Sequence, residues 1–178
     1  FTPILANRRM IMEAGINVRI FYGEVAGLYD AECVILDGRV YRKWGEGDSE
    51  QGVAALLERL ANRVGYVIWF DTTDGTGTTQ FQFLPYVHKY LKLQVLRDRS
   101  LYQKSYYGGR YFTEYYHDQF GINDTQEYPE MTPAPASELH KIDVAWGHPL
   151  SDYGRWAPWL RRIRRLIPIP TRYTQRFI

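Results

Sequence analysis

The chain has 178 residues, of which 45% are apolar and 24% charged, with a formal net charge of +2. That length suits one packed domain and a tail but not two full α/β domains, and the composition excludes disordered, collagenous and coiled-coil classes. No apolar run nears the roughly 18 to 20 residues of a membrane-spanning helix, so the chain reads as soluble or peripheral.

In chain order, residues 3–14 predict a helix with Pro3 in its first turn and Gly15 closing it; a strand is expected before it, among leading residues missing ahead of Phe1. Ile16 to Tyr22 begins as apolar/polar alternation and predicts a strand ended by Gly23. Cys33 to Leu36 is a short β-type run, followed by the turn dipeptide Asp37-Gly38 and by Val40-Tyr41. Cys33 is the single cysteine, so no internal disulfide can form, and a reducing, cytoplasmic compartment is expected.

Residues 49–64 give the clearest helix, with Val53, Leu56, Leu57, Leu60 and Val64 on one face, Asp48 and Gln51 as a capping pair, and Gly65 as a left-handed cap. Tyr66 to Phe70 follows as a β-branched and aromatic run, expected to be a strand buried on both faces of a parallel sheet. Helix then buried strand is the α/β signature, and the fold expected is Rossmann-like, a mostly parallel sheet flanked by helices.

After the loop 71–80, residues 85–93 fit neither period. Residues 111–120 read as helical up to Gly121, 122–136 as an exposed proline-bearing loop, and Ile142, Val144 and Trp146 as a strand. Residues 155–167 form a basic amphipathic helix stopped by Pro168 and Pro170, which divides the chain into a domain, 1–154, and a tail, 155–178. Residues 151–178 hold seven Arg against one acid, whereas the first 150 residues hold 15 bases and 19 acids. The charge asymmetry concerns the partners of the tail, not the fold.

Four constellations can carry chemistry or binding. The loop Asp71-Thr72-Thr73-Asp74-Gly75-Thr76-Gly77-Thr78-Thr79 leaves the carboxyl end of the predicted buried strand, where open α/β sheets bind ligands. Asp71 and Asp74 can act as a general base or accept sugar hydroxyls, and Gly75, Thr76, Gly77 and Thr78 let backbone N–H groups approach a phosphate; equally, these residues can simply make turns and caps. The loop is neither a P-loop nor a dinucleotide fingerprint. Arg97, Arg99, Tyr102, Gly108, Gly109 and Arg110 offer planar cations, a tight turn and an aromatic face to an anionic or sugar ligand, or else an internal ion-pair network. Among histidines 88, 117, 140 and 148 none has a partner at metal-ligand spacing, so no metal is expected, and His117 is the candidate proton-transfer group. The tail helix, with Trp156 and Trp159 among its arginines, suits an anionic membrane surface or packing on protein; nucleic acid is not expected, because the rest of the chain is acidic.

The stretch Ile68 to Phe81 with Leu84-Pro85-Tyr86, then Arg97-Asp98-Arg99-Ser100-Leu101-Tyr102, Tyr107-Gly108-Gly109-Arg110 and Leu139-His140-Lys141, resembles bacterial glycosyltransferase-like proteins of surface-polysaccharide (lipopolysaccharide or capsule) biosynthesis. The likeness covers about residues 66 to 153. It implies the two-domain GT-B architecture, of which this chain would be the acceptor-side Rossmann-like half, with a donor-binding half expected beyond Ile178. It also implies a nucleotide-sugar co-substrate with no separate cofactor, and a membrane-associated glycan acceptor at the inner membrane. On that view Asp71 or Asp74 is the base, His117 its reserve, and Arg97, Arg99 and Arg110 bind anionic groups. The alternative is a non-catalytic module that binds a glycan or a protein.

Overall fold

The computed structural model describes residues 4, 7–38, 50–73, 75–124 and 131–145. The chain divides into two compact units, Ala26–Ala145 and a second formed by Phe1–Val25 with Trp146–Ile178. The expected boundary at 154/155 and the basic tail helix lie outside the described residues, as do Val40-Tyr41 and Asp48.

In the second unit, helix α1 (Arg8–Glu13) buries none of its side chains. Gly15 ends it at φ +82°, a backbone conformation that glycine adopts without penalty. The strand expected from Ile16 to Tyr22 does not form: the segment is irregular, and Ile16 and Ile20 are 57% and 38% exposed. Alternation specifies a strand only where a ladder partner and a face to cover exist, and among the described residues this segment pairs with no strand.

Ala26–Ala145 is built on a four-stranded, all-parallel sheet in the order β1 (Cys33–Asp37), β2 (Tyr66–Asp71), β3 (Lys89–Lys92), β4 (Ile142–Val144). Helix α2 (Glu50–Ala61) joins β1 to β2, and helix α3 (Tyr111–Phe120) lies between β3 and β4. The fold is therefore α/β and Rossmann-like. The region 85–93 resolves into a 3₁₀ helix at Phe81–Tyr86, containing Pro85, followed by β3. Trp146 falls outside the described residues, and the last strand is shorter than its alternation suggests.

Register decides which side chains share a face. Val34 pairs with Val67, Leu36 with Trp69, Trp69 with Tyr90 and Tyr90 with Ile142, and all six are buried in one core with Val53, Leu56, Leu57 and Leu60 of α2. On the opposite face Phe70 is buried at 5% exposure, while Ile35, Ile68 and Leu91 are half-buried. Thus β2 is buried on both faces toward its carboxyl end and covered on one face only near its start. Gly65 is also reassigned. It does not take positive φ, and a Cβ there would stand 3.1 Å from the Glu32 carbonyl oxygen, so the position serves close backbone approach.

His88 clasps the start of the β2–β3 pair: its N–H donates to the Val67 carbonyl at 2.9 Å, and its Nδ1 accepts the Val67 N–H at 3.0 Å. Leu57 has no exposed surface. Leu57→Ala should lower unfolding free energy by about 2–5 kcal/mol through lost burial and a residual cavity, measured by urea denaturation; a loss well under 1 kcal/mol would show that α2 does not seal the sheet.

Candidate functional site

The carboxyl ends of β1, β2 and β3 carry Asp37, Asp71 and Lys92. Parallel register sets Asp71 beside Lys92, and both side chains are fully buried with Nζ 3.2 Å from Oδ2. Lys92 directs further bonds to the Thr73 hydroxyl at 2.7 Å and the Thr73 carbonyl at 3.1 Å. Asp71 Oδ1 accepts the Thr73 N–H at 2.8 Å and faces the Thr73 hydroxyl at 2.6 Å. That hydroxyl also lies 2.6 Å from the Thr78 carbonyl, so its single proton serves two acceptors across the loop. Tyr90 donates to Asp71 Oδ2 at 2.5 Å and accepts the Gln80 N–H at 2.8 Å. The Gln80 side chain accepts from the Trp69 indole at 3.1 Å and donates to the Gly38 carbonyl at 3.3 Å.

These bonds close the loop 71–80 at both ends. They also bear on the role expected of Asp71. A base must reach an acceptor hydroxyl, whereas this carboxylate has no exposed surface and is enclosed by Thr73, Tyr90 and Lys92. Its part is to hold the loop. Asp74 lies outside the described residues. Burial first, and then the Asp71 charge and hydrogen bond, push the Tyr90 phenol well above its ordinary pKa.

The rest of the expected ligand set is partly gathered here. Gly75 takes φ +73°, Gly77 is buried, and the Tyr102 hydroxyl donates to the Thr76 carbonyl at 2.9 Å while accepting the Leu96 N–H at 2.9 Å. A Cβ on Gly77 would meet Arg110 Cβ and the Phe112 ring at 3.5 Å, so Arg110 and the start of α3 pack on the loop. Arg110 stacks over Phe112 with its guanidinium 5.7 Å from the ring centre. Gly109 is buried at φ +73°, and Gly108 has φ +62° with a hypothetical Cβ only 2.5 Å from Thr113 Cγ2. Two independent constraints therefore demand glycine at 108.

Other residues have local roles. Arg97 is exposed, and the Arg99 guanidinium donates to the Leu96 carbonyl. Asp98 caps the following 3₁₀ turn by accepting the Ser100 N–H at 3.0 Å and hydroxyl at 2.6 Å, which lowers its pKa. His117 stacks on Tyr107 with ring centres 3.9 Å apart, and its Nδ1 donates to the Ile122 carbonyl at 3.1 Å. In the neutral ring that bond leaves Nε2 as a proton acceptor.

Sequence reasoning missed Lys92, Tyr90, Thr73 and Gln80. The one available signal was the spacing of Tyr90 and Lys92, two apart at the end of a short β-type run. Among the described residues no cluster of His, Cys, Asp and Glu fits a metal ion, and no helix is long and apolar enough to cross a membrane. The strands run in sequential order, so no reversal of strand order lies among the four to fix a ligand crevice, and the site rests on its side chains. No protein-family model, curated protein or solved structure matches the chain.

Three outcomes follow. Lys92→Met strands a buried carboxylate and should cost about 3–5 kcal/mol in chemical denaturation; a near-neutral result would mean the pair is hydrated. The Tyr90 phenol is held protonated in the fold but ionises in the unfolded chain near pH 10. Its contribution is therefore complete below about pH 10 and is lost as pH rises above that value. The denaturation midpoint of wild type should fall more steeply between pH 9 and about 11 than that of Tyr90→Phe, and parallel profiles would refute the assignment. Gly108→Ala should loosen the start of α3, seen as faster proteolysis after Tyr106.

Proposed function

We propose that this chain is the acceptor-side, Rossmann-like part of a glycosyltransferase that moves a sugar from a nucleotide-sugar donor to a membrane-associated glycan in polysaccharide biosynthesis. The observation carrying the reading is the braced loop at the carboxyl end of β2, with Tyr102 bonded to its Thr76 carbonyl and Arg110 beside Gly77. That loop lies within the stretch Ile68 to Phe81, one of those that carry the resemblance to surface-polysaccharide glycosyltransferases.

Transfer needs a base for the acceptor hydroxyl and positive or dipolar groups for the departing diphosphate. With Asp71 held by Lys92, the base falls to Asp74, with His117 Nε2 in reserve. Arg110, with Arg97 and Arg99, supplies cations, and the nucleotide sugar is the only co-substrate invoked. The basic segment 155–167 would hold the protein at the cytoplasmic side of the inner membrane. A second reading, a non-catalytic glycan- or protein-binding module, is favoured by the burial of Asp71, which removes one of the two loop carboxylates from chemistry.

Transfer from radiolabelled nucleotide sugars to a lipid-linked glycan fraction, assayed with the intact protein that includes the expected donor-binding half, separates the two. Asp74→Asn should reduce turnover by about 10²–10⁴-fold without shifting thermal denaturation, and Arg110→Ala should weaken donor binding. Turnover retained in both variants would refute the site; glycan binding with no turnover under any donor would establish the module.

A further inference from the structure

Helix α3 carries five aromatic rings in ten residues and buries none of them: Tyr111 and Phe112 are each 38% exposed, Tyr115 49%, Tyr116 50% and Phe120 64%. The rings of Tyr115, Tyr116 and Phe120 lie against one another at centroid distances of 5.5 to 6.4 Å, forming a continuous aromatic surface. Such a patch on a folded protein marks a binding surface. We infer that this surface is a platform for the acceptor's carbohydrate chain, an inference that rests on the transferase reading and names where its acceptor docks.

The chemistry of the helix selects this occupant. It contains no Leu, Ile, Val or Met, so its apolar area is offered almost entirely as flat ring faces. Sugar rings present flat C–H faces that stack on aromatic rings and hydroxyls that bond to phenols, and three of the five rings are tyrosines. The helix has two acids, Glu114 and Asp118, and neither Lys nor Arg, which disfavours a polyanion.

Geometry links the platform to the candidate site. Phe112 packs on Gly77 of the loop, so the aromatic surface starts at the carboxyl end of β2. The helix is anchored at its first turns: Lys104 Nζ pairs with Glu114 at 2.9 Å, and the other Glu114 oxygen accepts the Tyr107 N–H at 3.0 Å. It is stopped by Gly121 at φ +64°, whose N–H bonds to the His117 carbonyl at 2.8 Å. A helix fixed at its base with its rings turned outward is a preorganised surface, which lowers the ordering cost of binding a flexible chain.

The test is native affinity electrophoresis of the full chain in gels containing dextran, galactomannan or a soluble β-glucan, with sedimentation of the same chain and a sugar-transfer assay of the intact protein run in parallel. At least one polysaccharide should retard the wild type, Tyr116→Ala/Phe120→Ala should weaken that binding by about tenfold or more, and Tyr116→Phe should retain it. The inference is overturned if none of the three retards the wild type, if the double variant binds unchanged, or if the wild type dimerises and the double variant does not, which would assign the surface to a second copy. Sugar transfer by the intact protein without retardation removes the platform alone, whereas retardation without transfer by the intact protein keeps the platform and removes the transferase.

Discussion

The Asp71–Lys92 pair is the constraint on which the rest of this domain depends. Two charges with no exposed surface are tolerable only when they neutralise each other and satisfy their remaining hydrogen-bonding capacity. Here Lys92 meets that requirement through both oxygens of Thr73, and Asp71 through Thr73 and Tyr90. Because the partners come from β2, β3 and the loop between them, satisfying the charges fixes the loop as well. A hydrophobic pair could pack these strands, but it would not specify where Thr73, Thr78 and Gln80 sit.

From that point order spreads outward through hydrogen bonds rather than through apolar contact alone. Tyr90 passes it to Gln80, and Gln80 to Trp69 and Gly38. On the other side Tyr102 couples Thr76 to Leu96, and its own carbonyl accepts the Ala134 N–H at 2.7 Å, tying the loop to the segment before β4. Phe81 lies between Tyr90 and Tyr102, with ring centres 5.1 and 4.9 Å away, so the polar network is roofed by aromatic packing that keeps water out. This arrangement explains why the string from residue 71 to 81 alternates small polar residues with glycine and then turns aromatic.

The short motifs further along the chain acquire a physical meaning that is partly structural. In Arg97-Asp98-Arg99-Ser100, Asp98 is a cap and Arg99 holds a carbonyl, leaving Arg97 exposed. In Tyr107-Gly108-Gly109-Arg110, the two positive-φ glycines turn the chain so that Arg110 meets Gly77 and α3 begins immediately afterwards. On the reading proposed above, recognition would fall to these arginines, to the loop and to the aromatic surface of α3, with the braced loop orienting a reacting group and the helix holding a longer chain.

The sequence by itself determined the elements whose signals are local. The stripe of Val53, Leu56, Leu57 and Leu60 fixed α2, the β-branched and aromatic run fixed β2, and Gly15 and Gly121 marked helix ends, because helix period and left-handed glycine caps depend on neighbours a few residues apart. The loop 71–79 was legible as a turn-forming segment after β2 for the same reason, but its contacts with Tyr102 and Arg110 came only from the fold. Only the tertiary structure decided what that loop's first carboxylate does. Asp71 and Lys92 are 21 residues apart, and nothing short-range distinguishes an aspartate open to a substrate from one buried against a lysine. Pairing of strands likewise decided that Ile16 to Tyr22 is not a strand, that Gly65 answers the Glu32 carbonyl, and that Phe70 is buried on a face where Ile35, Ile68 and Leu91 stay half-buried. Each outcome depends on what the fold brings alongside a residue, and period and propensity carry no record of that.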